Sequence, residues 1–397
     1  MDNLCELLRR RVLDRIDWSK ESEDEDIRRL ISEEIAGAVE WERISLRERV
    51  QLEQRIYNSL RKLDILQELI EDDDVTEIMV NGPSKIFYEK NGEVRQYSYH
   101  FSSEEKLQDV IQQIVGRHNR VINLSSPIVD TRLEDGSRVN IVLSPISIDG
   151  SSISIRKFPQ HPFDMEQLIR LDSITEEAAR FLQTMVQCGY NLFISGGTSS
   201  GKTTFLNALS SYIPQTERII TIEDAAELQL QNRTNIVRLE TRNANMEGVK
   251  PITIRQLIHT ALRMNPDRII IGECRGEEAL DMLQAMNTGH DGSLSTGHAN
   301  SPSDMIKRLE TMVLMGMELP LLAVRQQIAS GIDILVHLGK TRDKKRRVLE
   351  IAEIIGLENG EVKLSQLYVY EDRLIKKHPL IHREKLIAAG KGDADGL

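Results

Sequence analysis

Residues 196–203 read Gly-Gly-Thr-Ser-Ser-Gly-Lys-Thr and match the pattern G-x-x-x-x-G-K-[ST] at every fixed position. Each residue type in that spacing has a chemical task. Gly196 and Gly201 permit backbone angles that a β-carbon forbids, so the loop can curl around an anion. The N–H groups of Gly197, Thr198, Ser199 and Ser200 then face phosphate oxygens, and the helix that follows adds its positive N-terminal end. Lys202 brings a point charge to the β- and γ-phosphates, and the Thr203 hydroxyl is a ligand for Mg²⁺. Thr204, the next residue, counts with the loop among the nucleotide-binding candidates. The apolar run Leu192–Ile194 before the loop and the stripe Phe205, Leu206 and Leu209 after it supply the strand-then-helix context that the pattern requires. The chemistry implied is nucleoside triphosphate binding, with ATP and Mg²⁺ as the ligands.

Three further constellations could act on that phosphate chain. The apolar segment 219–222 ends in Glu223 and Asp224, with Glu227 close behind. Glu223 could orient or deprotonate a water, and Asp224 and Glu227, with Glu223, could hold Mg²⁺ through its waters. A second β-branched run, 268–272, ends in Glu273, where ATPases of the P-loop class place a metal- or water-binding carboxylate. The usual aspartate is missing there, and Gly272 stands directly before the glutamate. Residues 288–300 then carry His290 and His298 in a Gly-rich frame around a short apolar strand. A histidine here can hydrogen-bond a γ-phosphate and report its loss. A metal role is disfavoured, because no third ligand is in register.

Cationic groups form the last set. Arg132 and Arg138 flank a tight Asp-Gly turn, and Arg156 and Lys157 close an alternating strand. Guanidinium forks suit phosphate oxygens, although surface arginines on hairpins are equally common. Arg263 and Arg275 are further candidates, and Arg268 is expected to pair with a carboxylate. The basic run 340–347 reads as a solvated hairpin that could touch anionic lipid or a partner protein.

The elements that must position these groups follow from periodicity. Residues 1–62 carry helical patterns: Ile27, Leu30, Ile31 and Ile35 share one face, and Val50, Ile56, Leu60 and Leu63 another. The acidic run 21–26 reads as a solvated loop. From residue 63 to 157 the period shifts to short strands, with Asn91-Gly92 and Asp135-Gly136 as hairpin turns. Ser102 with Glu105 is a capping-box pattern ahead of a helix bearing Leu107, Val110, Ile111 and Ile114. This stretch is an α+β domain. The prolines of segment 158–163 mark a linker. Residues 164–397 alternate strand and helix, which implies an α/β domain with a largely parallel sheet and ligand loops at the carboxyl ends of its strands. The tail after Gly390 is small and polar.

Composition sets outer bounds. At 397 residues, 40% apolar and 28% charged, the chain is large enough for two or three globular domains. Lys and Arg total 51 against 62 Asp and Glu, a net charge of −11, which argues against non-specific nucleic-acid binding. Three cysteines without ligand spacing read as reduced thiols of a cytoplasmic protein. No apolar stretch approaches the ~18 residues of a membrane span.

Taken in order, the loop at 196–204, the Ile-Glu-Asp box at 222–224, the segment 268–276 and the segment 288–301 resemble the type II/IV secretion system ATPases. Within them, residues 75–92, 130–140 and 153–158 resemble the CpaF/TadA-type ATPases of Tad (Flp) pilus assembly. The resemblance covers roughly residues 63–340. It implies a RecA-like motor domain preceded by a PAS-like α+β domain, assembled as a hexameric ring. It also implies Lys202 and Thr203 at phosphate and Mg²⁺, Glu223 in an Asp box, Glu273 in Walker B, and His290 and His298 in a His box. Arginines of the N-terminal domain reach nucleotide in that family, and Arg132, Arg138 and Arg156 occupy the matching stretches. Inner-membrane platform proteins are the implied partners, with the motor held at the inner face of the cell membrane. Two positions depart from the family pattern: Cys274 replaces a usual aliphatic residue, and Gly297 a common isoleucine. The rival readings are a RecA-like nucleic-acid translocase, which the acidic balance and 4% aromatic content disfavour, and a small-molecule kinase, which would not need the preceding domain.

Overall fold

The computed structural model describes residues 2–16, 23–39, 45–117, 121–158, 162–230, 233–242 and 250–391. They fall into two compact units, Met1–Gln160 and His161–Leu397. Residues 159–161 of the expected linker, and the tail beyond residue 391, lie outside the described residues.

The first unit begins with three helices, α1 (Asp2–Arg15), α2 (Asp24–Val39) and α3 (Leu46–Arg61). They share a core of Leu8, Val12, Ile31, Ile35, Leu52 and Ile56. Two expectations fail here. Asp24, Glu25 and Asp26 form the first turn of α2, where negative charge suits the helix dipole, rather than a loop. Val50 is exposed, because the buried stripe of α3 runs through Leu52 and Ile56 instead.

A short helix α4 (Gln67–Glu71) leads to strands β1 (Val75–Asn81), β2 (Ile86–Lys90) and β3 (Glu93–Gln96), helix α5 (Glu104–Gly116), and strands β4 (Ile128–Arg132), β5 (Arg138–Val142) and β6 (Ser152–Arg156). The six strands form one antiparallel sheet in the order β3-β2-β1-β6-β5-β4. Helix α5 buries Leu107, Val110, Ile111 and Ile114 against Ile78, Val80, Ile141 and Ile153. Burying each such side chain is worth at most about 1.5–3 kcal/mol. Its N-cap is Ser103, which accepts from the Lys106 N–H, and not Ser102 as the Ser-x-x-Glu spacing suggests.

The second unit opens with α6 (Met165–Arg170) and α7 (Glu176–Gln187). It continues through β7 (Leu192–Gly196), α8 (Lys202–Ser210), β8 (Ile219–Glu223), β9 (Ile236–Glu240), α9 (Ile254–Ala261), β10 (Arg268–Ile271), α10 (Glu278–Asn287) and β11 (Leu294–His298). Then follow α11 (Pro302–Gly316), α12 (Leu321–Gly331), β12 (Ile334–Lys340), β13 (Arg346–Glu358), β14 (Glu361–Tyr370), β15 (Leu374–Lys376) and α13 (Glu384–Ala388). Six strands run parallel in the order β12-β7-β11-β10-β8-β9, and β13, β14 and β15 extend the sheet antiparallel beyond β12.

Both faces of the parallel part are covered. Leu192 and Ile194 of β7 point into a cluster with Phe181, Leu182, Phe205 and Leu206. Phe193 points the other way, into a cluster with Ile258, Leu283, Leu309 and Ile328. Burial on both faces is why these strands read as unbroken apolar runs rather than alternating ones. Their carboxyl ends carry the loops that the sequence marks for chemistry.

Candidate active site

Strand β7 delivers the loop, and two glycines are required by its geometry. A β-carbon on Gly196 would lie 2.4 Å from the Leu338 carbonyl oxygen and 2.6 Å from the Ser200 hydroxyl. Gly201 has φ +94°, in the left-handed region, and serves as the N-cap of α8 without a side-chain cap. The first N–H groups of α8 are therefore left for an anion. Lys202 is buried and donates from Nζ to the Gly196 and Gly197 carbonyls at 3.1 and 2.9 Å. Burial pulls its pKa below the ordinary lysine value, against the opposing charge of Glu273. Buried Ser200 Oγ has no protein partner, as fits a loop built around another group's oxygen atoms.

The neighbouring strands bring the carboxylates in register. His298 of β11 lies opposite Gly196 of β7, and Ile271 of β10 lies between Ser295 of β11 and Ile222 of β8. The loop after β10 is tied to β11 by Thr296 Oγ1 donating to the Gly272 carbonyl and Cys274 N–H donating to the Thr296 carbonyl, 2.7 and 2.8 Å. Glu273 is consequently held beside His298, which contacts its carboxylate through Nδ1. Arg275 Nη2 donates to the other carboxylate oxygen of Glu273 at 2.6 Å, while its Nη1 lies 3.6 Å from Asp224. One guanidinium thus links the carboxylates of two strand ends. Burial acts to raise the Glu273 pKa, but Arg275, His298 and Lys202 outweigh it and hold the group below the usual glutamate value.

Glu223 behaves in the opposite way. It is 3% exposed, and its Oε2 accepts from the Glu227 and Leu228 N–H groups at 2.8 and 3.0 Å, organising the turn after β8. Its Oε1 is buried without a protein partner. Burial pushes its pKa up to about 7, against the two backbone donors. A β-carbon on Gly272 would come within 2.9 Å of Glu223 Cγ. The glycine that stands in place of the usual aspartate is what lets this carboxylate pack beneath the Glu273 loop.

Other expectations sort cleanly. His290 is not brought to the phosphate loop: it precedes β11 at the amino end of the parallel strands, where its Nδ1 bonds the Ala285 carbonyl at 3.2 Å. Arg268 pairs with Glu217 as expected, and its guanidinium fills the space a side chain on Gly292 would need. Arg347 of the basic run is not solvated but buried, bound to Asp343 at 2.8 Å and Asp172 at 2.9 Å. In the first unit, Arg132 lies opposite Arg138 and Arg138 opposite Arg156 across β4, β5 and β6, so the three share one sheet face in a row. Like charges directly opposite one another are unfavourable unless neighbouring groups offset them.

One residue at the site escaped the sequence, and one candidate gained a role that the sequence did not show. Buried His337 of β12 hydrogen-bonds Ser195 at 2.9 Å directly beneath the loop, with its pKa lowered by burial. A single histidine in an apolar strand gives no signal. The linking role of Arg275 needs the spatial meeting of β8 and β10.

The loop cradle, the uncapped helix start and Thr203 in its first turn fit a triphosphate. Among the described residues no group of three or more His, Cys, Asp or Glu side chains is arranged to hold a metal. A Mg²⁺ ion that shares phosphate oxygens and Thr203 fits this donor set better than a protein-only cage does.

Comparison with known proteins agrees with this geometry. The family model for the type II/IV secretion system protein matches residues 59–364. A Mycobacterium tuberculosis protein provisionally named for conjugal transfer is 34% identical over 305 residues, 75% of this chain and 86% of that protein. The type IV secretion system protein PtlH of Bordetella pertussis is 34% identical over 316 residues, 73% of this chain and 93% of that protein. The solved structure of the pilus retraction motor PilT with bound ADP superposes with a TM-score of 0.56 at 21% identity, covering 83% of this chain and 86% of that one, a likeness of fold. With the matching motifs at the carboxyl ends of its parallel strands, the chain belongs to the type II/IV secretion system ATPases.

Proposed function

We propose that this ATPase is a Mg²⁺-dependent motor that assembles as a hexameric ring at the cytoplasmic face of the inner membrane. There it acts on a platform protein to assemble a Tad/Flp-type pilus or a related secretion filament. The observation that carries the reading is the cluster at adjoining strand ends: Lys202 in its loop, Glu273 gripped by Arg275 and His298, and Asp224 on the same guanidinium. The names of the relatives, secretion and conjugal transfer on one side and pilus retraction on the other, support a motor serving an envelope machine. The resemblance of residues 75–92, 130–140 and 153–158 favours the Tad/Flp branch.

In this reading the N–H groups of residues 197–203 hold the β-phosphate, and the Lys202 ammonium exchanges its loop carbonyls for phosphate oxygens. Thr203, with Asp224 and Glu223 through water, would hold Mg²⁺, which when bound would supply charge neutralisation for phosphoryl transfer. Glu273, kept ionised by its cationic neighbours, orients the attacking water. His298 on the same carboxylate senses whether the γ-phosphate is present. Arg132, Arg138 and Arg156 supply guanidinium forks for phosphate. The segments 1–62, 63–157 and 164–397 serve as helical appendage, α+β module and motor, joined at 158–163.

Phosphate release from ATP tests the chemistry, and light scattering tests the ring. Turnover that stops on chelation of divalent ions, from a particle of six chain masses, is the expected result. Turnover indifferent to chelation, or a monomer that is fully active, would remove the magnesium or the ring from the proposal.

A further inference from the structure

We propose that Arg346 is a positioning residue for the nucleotide, acting through the phosphate loop from the far end of the chain. The inference rests on the ATPase reading and assigns a function to the basic run that the reading leaves unused. Strand β12 runs parallel to β7 with Leu338 opposite Gly196, so the β12–β13 hairpin rises from the sheet edge directly beside the loop. The Leu338 carbonyl already fills the space that a side chain on Gly196 would need.

The hairpin is braced. Thr341 N–H donates to the Lys345 carbonyl and Lys344 N–H to the Thr341 carbonyl, both 2.9 Å. Arg347 is buried, with its fork on Asp343 and on Asp172 outside the hairpin. Alternation along β13 turns the preceding residue to the opposite face. There the exposed Arg346 donates from Nε to the Ser199 carbonyl at 3.0 Å, and its Cδ lies 3.7 Å from where a β-carbon on Gly201 would be.

Ser199 has φ +56°, a left-handed conformation that a β-carbon disfavours and that persists only where surroundings enforce it. The peptide unit is planar, with its C=O and the next N–H pointing in opposite directions. Holding the Ser199 carbonyl towards Arg346 therefore aims the Ser200 N–H into the loop, where it meets the Gly197 carbonyl at 3.4 Å. Arg346 thus sets the direction of a donor that the β-phosphate would use. Because the β-phosphate is common to ATP and ADP, the effect must be shared by both nucleotides.

The test compares the full-length protein with Arg346→Ala and Arg346→Lys, measuring ATP and ADP affinity by calorimetry, steady-state kinetics, and the melting temperature without nucleotide. Arg346→Ala should weaken ATP and ADP alike by about tenfold, the effect of one charge-assisted hydrogen bond. KM should rise to match, with less change in kcat and no change in the nucleotide-free melting temperature. Arg346→Lys, which can still donate to the carbonyl, should restore most of the affinity. Unchanged affinity for both nucleotides, or a fall in nucleotide-free stability without a KM effect, would overturn the inference. So would a loss confined to ATP, which would mean direct contact with the γ-phosphate. If the unaltered protein bound neither nucleotide, the ATPase reading itself would fall; if only the variant comparison failed, that reading would stand.

Discussion

Glu223 and Glu273 are chemically identical and end adjacent strands, yet their surroundings drive them apart. Arg275 and Lys202 help hold Glu273 ionised, whereas burial brings Glu223 to about 7. Glu273→Gln removes a charge but preserves shape, so it should still bind MgATP while losing about 10²-fold or more in turnover; equal loss of binding and turnover would deny it a role in the chemical step. Glu223 has the folded-state pKa raised, so its stabilising contribution is complete below the unfolded value of 4.5 and is lost as pH rises through about 7. The melting temperature of the nucleotide-free protein should therefore fall between pH 5 and pH 8, and Glu223→Gln should flatten that fall. An unaltered slope would show that the group titrates normally. Both carboxylates were legible in the sequence, because each follows an apolar strand beside a phosphate-loop motif. Their opposite protonation was not, since it depends on Arg275 and on packing beneath Gly272.

At the scale of elements, β11 shows how a departure from the family pattern is absorbed. Gly297 leaves a gap, and the space is taken by Phe193 of β7 and Met305 of α11, 2.9 and 3.1 Å from where a β-carbon would lie. Gly297→Ile should overpack this site and cost about 1–3 kcal/mol of stability, measured by denaturant unfolding. Adding Phe193→Leu should recover part of it, and additive losses would mean that the two positions do not share the space. Strand and helix order was readable from periodicity, and so were the Asn-Gly and Asp-Gly turns. Errors fell where local pattern is ambiguous: Ser102 and Ser103 are both good caps, and Val50 stands only two residues before Leu52, which with Ile56 forms the buried stripe. The basic hairpin read as solvated because sequence cannot show that Arg347 is buried against the distant Asp172.

For the whole molecule, the fold class was legible because unbroken apolar strands alternating with helices require a sheet covered on both sides, and the loops at its carboxyl ends follow from that. His290 was misplaced although chain order held the answer: it precedes the short strand and His298 ends it, so only His298 falls at the carboxyl end beside the phosphate loop. No helix among the described residues is long and apolar enough to cross a membrane. The proposed motor function rests on the grip on the triphosphate. Calorimetric titration of MgATP into the full chain and into its Lys202→Ala variant measures that grip. Saturable binding by the unaltered protein and a loss of at least about tenfold in the folded variant are the expected result. Equal binding by both, or none by the unaltered protein, would contradict it.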